Sequence, residues 1–267
     1  MTGVERIRAA FEAAGTENRA ALMPYLTPGF PDERAFAGDA RAVLEHADLL
    51  ELGIPFSDPL GDGPTIQASS QRVLEQGMNT ARVFAIASGL ADAGKPILLM
   101  TYYNPIVCHR GGEAGFVDAA ARAGISGLIL PDLPPEEAVS LRRLAADRGL
   151  ATVFLAAPTS TDERLRLITE ASTGFIYVVS LTGVTGERSR VSADLGGLVS
   201  RLRNATDLPL AVGFGVSGAG TAREVAGIAD GVVVGSAFIR RQADGRDAGV
   251  FAAELASACC REAEMPD

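Results

Sequence analysis

The 267-residue chain has no tryptophan, three cysteines, two histidines and one lysine, Lys95; every other basic residue is arginine. Each scarcity removes a class of chemistry. Cys259 and Cys260 are adjacent and Cys108 stands alone, so neither a disulfide framework nor zinc-ligand spacing can be drawn, and a cytoplasmic location is expected. A Schiff-base or pyridoxal phosphate site needs a lysine among the reacting groups, and a zinc lyase needs clustered histidines. No apolar run reaches the roughly 18 residues of a membrane span. The first helix, from Val4, mixes charges, which is not the pattern of a signal peptide. A formal charge of −9 argues against a nucleic-acid or acidic-membrane surface as partner.

What the chain has in quantity is strand and helix in alternation. With 47% hydrophobic residues it has ample core. A leading helix (4–14) precedes a strand at 21–27, a helix at 32–46 and a strand at 49–54. Helical segments to about residue 93 lead to a strand at 96–103, a helix at 115–123, a strand at 127–132 and a helix at 135–148. Then come a strand at 151–157, a helix capped by Ser160 or Thr161, a strand at 175–181, a polar loop at 182–192 and a helix at 195–203. Strands at 209–214 and 231–235 and a helix at 249–262 complete the pattern. Eight strands alternating with helices in about 250 residues predict one (β/α)8 TIM barrel over residues 1–267 with an extra N-terminal helix. An open doubly wound sheet is the competing architecture. The first strand–helix turn, Thr27-Pro-Gly-Phe-Pro31, lacks the glycine fingerprint of its dinucleotide-binding form.

The chain is organised around Leu50-Glu-Leu-Gly-Ile-Pro-Phe-Ser-Asp-Pro-Leu-Gly-Asp-Gly-Pro-Thr65. Side chains alternate along a strand, so Glu51 shares a face with Leu49 and Gly53. A carboxylate among aliphatic residues is costly unless it is paired or used. Asp58 and Asp62 follow in the loop, and Thr65 is placed to cap the next helix. One carboxyl on a strand and one on the loop after it suit a general acid/base pair; a structural ion pair is the plainer alternative. In a barrel, catalytic groups lie where strands end. That face holds Glu51, Asp62, Tyr102, Asp132 and Tyr177, whereas Lys95 and His46 lie at the opposite end. Carboxylate acid/base chemistry therefore remains, with magnesium on Asp58, Asp62 and Asp132 as a lesser option.

Glycines mark a second constellation. Gly183-Val-Thr-Gly186, Gly213-Phe-Gly215 and Gly235-Ser236 follow the last three strands. Glycine lets backbone amides approach an anion, and Ser236 can open a short helix whose positive end faces it. Barrels often hold a phosphate there; tight turns alone are the alternative reading.

The run Glu51 to Gln67 closely resembles the signature of the tryptophan synthase α subunit family. So do Met100-Thr-Tyr-Tyr-Asn-Pro105, Pro131-Asp-Leu-Pro134, the three glycine motifs and their order along the chain. The resemblance implies a lyase that cleaves indole-3-glycerol phosphate to indole and glyceraldehyde 3-phosphate in tryptophan biosynthesis. The chain itself would use no cofactor or metal; a pyridoxal phosphate-containing β subunit would be its partner in an α2β2 assembly. By position, Glu51 would be the acid/base and Asp62 would accept the indole N–H. Tyr25, Tyr177 and Phe214 would line the pocket, and Gly186, Gly213, Gly215, Gly235 and Ser236 would cradle the phosphate. Thr185 would contact Asp62, while Asp58, Pro59 and Asn104 would meet the β subunit. Gly61 replaces an alanine common in the signature, an exchange expected to loosen the loop. A stand-alone lyase and a non-catalytic phosphate-binding barrel remain as alternatives. Asp132 is expected to cap a helix, and the Cys259–Cys260 pair to be inert packing.

Overall fold

A computed structural model describes residues 1–179, 188–213 and 215–261, with only the backbone of 188–194. In chain order the first elements are α1 (Gly3–Thr16), β1 (Ala21–Leu26), α2 (Glu33–Leu44), β2 (Leu50–Gly53), α3 (Pro64–Glu75), α4 (Thr80–Leu90) and β3 (Ile97–Met100). Next come α5 (Tyr103–Val107), α6 (Gly112–Arg122), β4 (Gly127–Ile129), α7 (Val139–Asp147), β5 (Ala151–Val153), β6 (Leu155–Ala156) and α8 (Asp162–Ala171). The last are β7 (Ile176–Val179), α9 (Arg188–Arg203), β8 (Leu210–Gly213), α10 (Ala219–Ala226), β9 (Gly231–Val234), α11 (Ser236–Ala243) and α12 (Ala248–Ala258).

All strand pairings are parallel, in the order β5-β4-β3-β2-β1-β9-β8-β7-β6. The ends of that order, β5 and β6, are separated along the chain by Phe154 alone. The strand expected at 151–157 is therefore two short pieces. Around the break, the Val153 carbonyl accepts from the Leu130 amide at 3.1 Å and the Phe154 carbonyl from the Tyr177 amide at 3.2 Å. The sheet is thus a nearly closed barrel, with β5 and β6 sharing one of its eight positions.

Alternation sorts the strand side chains into two layers. Leu22, Leu50, Leu52, Leu99, Leu128, Ile176, Val178, Val212 and Val232 face the helices. Met23, Leu98, Ile129, Val153, Phe175, Ala211 and Val233 fill the barrel interior together with Ile7, Phe11 and Ala14 of α1. Helix α1 plugs the end where the strands begin. The small residues Gly127, Ala151, Ala211 and Gly231 make room for it; a Cβ on Gly231 would lie 3.0 Å from the Phe11 ring. Its start is fixed by a capping box, in which Thr2 Oγ1 accepts from Glu5 N at 3.2 Å and the Thr2 amide donates to the Glu5 carboxylate at 2.7 Å, which satisfies amides with no partner inside the helix. Lys95 lies at this plugged end, where its carbonyl accepts from the Arg6 guanidinium at 2.9 Å. The barrel's other end is left open.

Local chemistry moves several element boundaries. Helix α3 begins at Pro64 with Gly63 as its N-cap, so Thr65 lies inside the first turn and is not the cap; proline's fixed φ suits the first helical position. Thr161 caps α8, accepting from Arg164 N at 3.2 Å. Tyr103 does not continue β3 but opens α5, and both Asp132 carboxylate oxygens accept from its amide, at 2.9 and 3.1 Å. Asp132 therefore caps a helix that the spacing left hidden. The polar segment after β7 is helical from Arg188, so the expected loop at 182–192 is shorter at its C-terminal end.

Candidate active site

The strand alternation that packs the barrel also aims its unusual residues. Leu49, Glu51 and Gly53 point inward on β2, with Tyr25 paired to Glu51 on β1 and Met100 paired to Gly53 on β3. Glu51 is completely buried, and among the described residues neither carboxylate oxygen has a hydrogen-bond partner. Burial pushes its carboxyl well above the usual range, because a charge without hydrogen bonds in a low-dielectric interior is unfavourable. A structural ion pair, the plainer alternative for this residue, is absent from the described surroundings.

Glycines give two tyrosines their places beside it. A Cβ on Gly53 would lie 1.9 Å from the Tyr25 hydroxyl, and one on Gly213 would lie 2.4 Å from that of Tyr177. Each hydroxyl thus occupies the volume a side chain would need on the neighbouring strand. Both phenols are buried and shifted upward, by desolvation first and then by nearby carboxylates, Glu51 and Asp62 among them. Three of the chain's four tyrosines lie around these carboxylates, the third being Tyr102.

The loop after β2 carries Asp62 over the barrel mouth. Gln67, one turn into α3, donates to the Asp62 carbonyl at 2.8 Å and to the Pro59 carbonyl at 3.4 Å. The Gly61 amide donates to the Tyr102 hydroxyl at 2.9 Å. With glycine at 61 the loop is held at both points. A Cβ at 61 would lie 3.3 Å from the Tyr102 hydroxyl, a fit that alanine reaches by a small shift. Burial pushes the Asp62 carboxyl up to about 6, and interaction with the Tyr102 hydroxyl partly offsets this. The two carboxyls therefore differ: burial alone shifts Glu51 strongly toward its protonated form, whereas Asp62, pushed up to about 6, has the Tyr102 hydroxyl to favour its ionised form.

At this end of the barrel lies a cavity of about 270 Å³, lined by Tyr25, the strand partner of Glu51, but not by Glu51 itself. Its lining includes Tyr25, Asp62, Gly63, Ile66 and Tyr177, together with Gly215, Val216, Ser217, Gly235, Ser236 and Arg240. Met100 and Val233, both inward-facing, line it as well. Helix α11 begins at Ser236 with Gly235 as N-cap, so its first amides and positive dipole end border the cavity, an arrangement suited to an anion. Gly213 is the last residue of β8 and Gly215 has φ of +82°, which favours glycine. Among the described residues no group of three or more His, Cys, Asp or Glu side chains converges as a metal site; Asp58, Asp62 and Asp132 are not brought together.

The structure thus unites Glu51, Asp62, Tyr25, Tyr177, Gly213, Gly215, Gly235 and Ser236 at one end of the barrel. Thr185, Gly186 and Phe214 lie outside the described residues. Asp58 and Asn104 are exposed and Pro59 half-buried on the loops of the same end. Arg240 and Ser217 were not singled out from the sequence; the spacing of Arg240 four residues after Ser236, on the same helix face, was the available signal for the former.

Residues 11–265 match the family model described as tryptophan synthase alpha chain. The chain belongs to that family. The tryptophan synthase alpha chain of Deinococcus radiodurans is 49% identical over 261 residues, covering 97% of this chain and 96% of that one. The alpha chain of Streptomyces coelicolor is 47% identical over 250 residues, covering 92% of each. Among solved structures, a chain of Mycobacterium tuberculosis tryptophan synthase superposes with a TM-score of 0.89 at 38% identity, over 96% of this chain and 99% of that chain. Tryptophan synthase subunit alpha from Legionella pneumophila superposes with a TM-score of 0.86 at 32% identity, over 97% and 98%. The tryptophan synthase α fold accordingly extends over nearly the whole chain, open end and plugged end alike.

Proposed function

We propose that this chain cleaves indole-3-glycerol phosphate with Glu51 as general acid and base and Asp62 as the partner of the indole ring. As a tryptophan synthase α chain, the protein is a carbon–carbon lyase that releases indole and glyceraldehyde 3-phosphate and uses no cofactor of its own. The pyridoxal phosphate belongs to the β subunit with which it pairs. The observation that supports the residue assignment is the contrast between the carboxyls: Glu51 is completely buried with no hydrogen-bond partner among the described residues, and Asp62 lines the cavity.

Retro-aldol cleavage without a lysine or a metal needs the ring to leave as a neutral molecule. The Glu51 carboxyl gives its proton to the indole carbon that bears the glycerol chain, and Asp62 accepts the ring N–H and balances the positive charge that develops. The Glu51 carboxylate then takes the proton of the adjacent glycerol hydroxyl as the carbon–carbon bond breaks. Electrons of that bond restore the aromatic ring, the hydroxyl carbon becomes an aldehyde, and Glu51 is again protonated. Carboxyls in unlike environments performing opposite proton transfers are a recurrent solution at neutral pH. Tyr25 and Tyr177 wall the pocket, with Phe214 as a further lining residue. The phosphate is assigned to the first turn of α11 at Gly235 and Ser236, with Gly213, Gly215 and Gly186 completing the cradle. Thr185 is assigned to a contact with Asp62 when substrate is bound.

Asp58, Pro59 and Asn104 are assigned to the face that meets the β subunit in an α2β2 assembly. Beside Asp58 and Pro59, on the same loop, Leu60 is 94% exposed. No described helix is long and apolar enough to cross a membrane, and we place the protein in the cytoplasm as a single barrel spanning residues 1–267. Release of indole from indole-3-glycerol phosphate, with and without a β subunit, tests the reading. Slow release accelerated by the partner is expected. Fast release indifferent to the partner would indicate a stand-alone lyase, and none under either condition would leave a phosphate-binding barrel.

A further inference from the structure

Among the described residues that line the cavity, Asp62, Tyr25 and Tyr177 titrate as acids and Arg240 alone is basic. Arg240 lies on α11 four residues after Ser236, so both project from one face of that helix. Its side chain is exposed at the cavity wall, and no described acid pairs with it. The neighbouring Arg241 is engaged elsewhere: its guanidinium lies 4.4 Å from the centroid of the Phe251 ring and 3.7 Å from the Glu254 carboxylate. Helix α11 thus turns one arginine outward into packing and the other toward the cavity.

We propose that Arg240 is a substrate-binding residue that contacts the phosphate group bound at the first turn of α11. This rests on the phosphate site described above and assigns it a side chain in addition to its backbone amides. The chain carries a net charge of −9, and its cavity is lined by the Asp62 carboxyl, so a phosphate dianion approaches against the prevailing field. A guanidinium at the wall offsets that repulsion and offers planar donors to phosphate oxygens. Arg240 touches the non-reacting end of the substrate, so its contribution is the same before and during reaction and appears in KM and not in kcat.

The test compares wild type, Arg240→Gln, Arg240→Lys and, as a control, Arg246→Gln, an exposed arginine after α11 that pairs with Asp244 at 3.7 Å and does not line the cavity. Indole release is followed against substrate concentration and salt, and inorganic phosphate binding is measured directly by calorimetry. An exposed charge-assisted contact leads us to expect KM to rise about 5- to 30-fold in Arg240→Gln with kcat within about twofold. The salt dependence of kcat/KM should flatten, phosphate should bind more weakly by a similar factor, and Arg240→Lys should recover part of each loss. The control should match wild type. Unchanged KM, salt dependence and phosphate affinity in a folded Arg240→Gln variant would overturn the assignment, as would a fall confined to kcat. If wild type releases no indole yet binds phosphate, the lyase reading fails, and the phosphate affinities alone then decide the role of Arg240.

Discussion

The Tyr102 hydroxyl accepts a hydrogen bond from the Gly61 amide at 2.9 Å, tying the end of β3 to the loop that carries Asp62. With that oxygen acting as acceptor for Gly61, its own proton is available to the neighbouring Asp62 carboxylate, with which Tyr102 also interacts. Tyr102 is thus placed to position the carboxylate that we propose as the partner of the indole ring.

Tyr102→Phe should lower kcat/KM about 10- to 100-fold, the range spanned by loss of a hydrogen bond to a charged group. It should also move the acid limb of the pH profile upward from near 6, since removing a donor from the ionised form raises a carboxyl's pKa. A profile that drops in height without moving would show that Tyr102 only supports the loop.

Glu51→Gln should abolish turnover, by at least about a thousandfold on the scale of general acid catalysis, while substrate still binds. The same change has a stability signature. The folded-state pKa of Glu51 lies above its unfolded value, so the folded chain binds more protons in the interval between them. Stability is therefore lost as pH rises through that interval, by about 1.4 kcal/mol for each unit of separation. Denaturant titrations from pH 5 to 8 should show a flatter decline in Glu51→Gln than in wild type. A steeper decline would contradict the account of a dry, unpaired carboxyl.

Asp62→Asn keeps the size of the side chain and removes its charge. Indole release should fall about 100- to 1000-fold, the magnitude associated with loss of one transition-state electrostatic partner. Asp62 is pushed up to about 6 and acts ionised, so wild-type kcat/KM should rise with pH through that value, and the residual activity of the variant should lack that limb. Steady-state kinetics from pH 5 to 8 provides the check.

Gly53→Ala should both destabilise the barrel and impair binding. Its Cβ would lie 1.9 Å from the Tyr25 hydroxyl and 2.4 Å from the ring carbon that bears it, so the ring must leave its place. Overpacking of this kind costs roughly 1–3 kcal/mol. Tyr25→Leu in the same chain, which removes the colliding ring end, should recover part of that stability. Strictly additive losses in thermal unfolding would place the clash elsewhere.

Much of this architecture was legible in the chain. The barrel followed from the count and spacing of apolar runs, and the inward direction of Glu51 followed from the period of two. What local spacing obscured were the ends of elements. Phe154 interrupts a strand because the sheet closes there, a property of the whole barrel and not of the Ala151–Ala157 run. Tyr103 leaves its strand because Asp132, from a different strand end, caps it. Thr65 yields the cap position to Gly63 because Pro64 already satisfies the geometry of the first helical residue.

The residues by themselves determined which chemistry was available: one remote lysine, few histidines, carboxylates at a strand and its loop, and glycines after the last three strands. Those limits follow from composition and short-range periodicity, which need no knowledge of contacts. Only the tertiary structure decided how far each carboxyl is withdrawn from water and which groups stand beside it. Glu51 is dry because Tyr25, Tyr177 and the inner strands enclose it, and Asp62 is less shifted because the loop exposes it to the cavity and to Tyr102. Protonation depends on solvent exclusion and on partners tens of residues away, which alternation along one strand cannot specify.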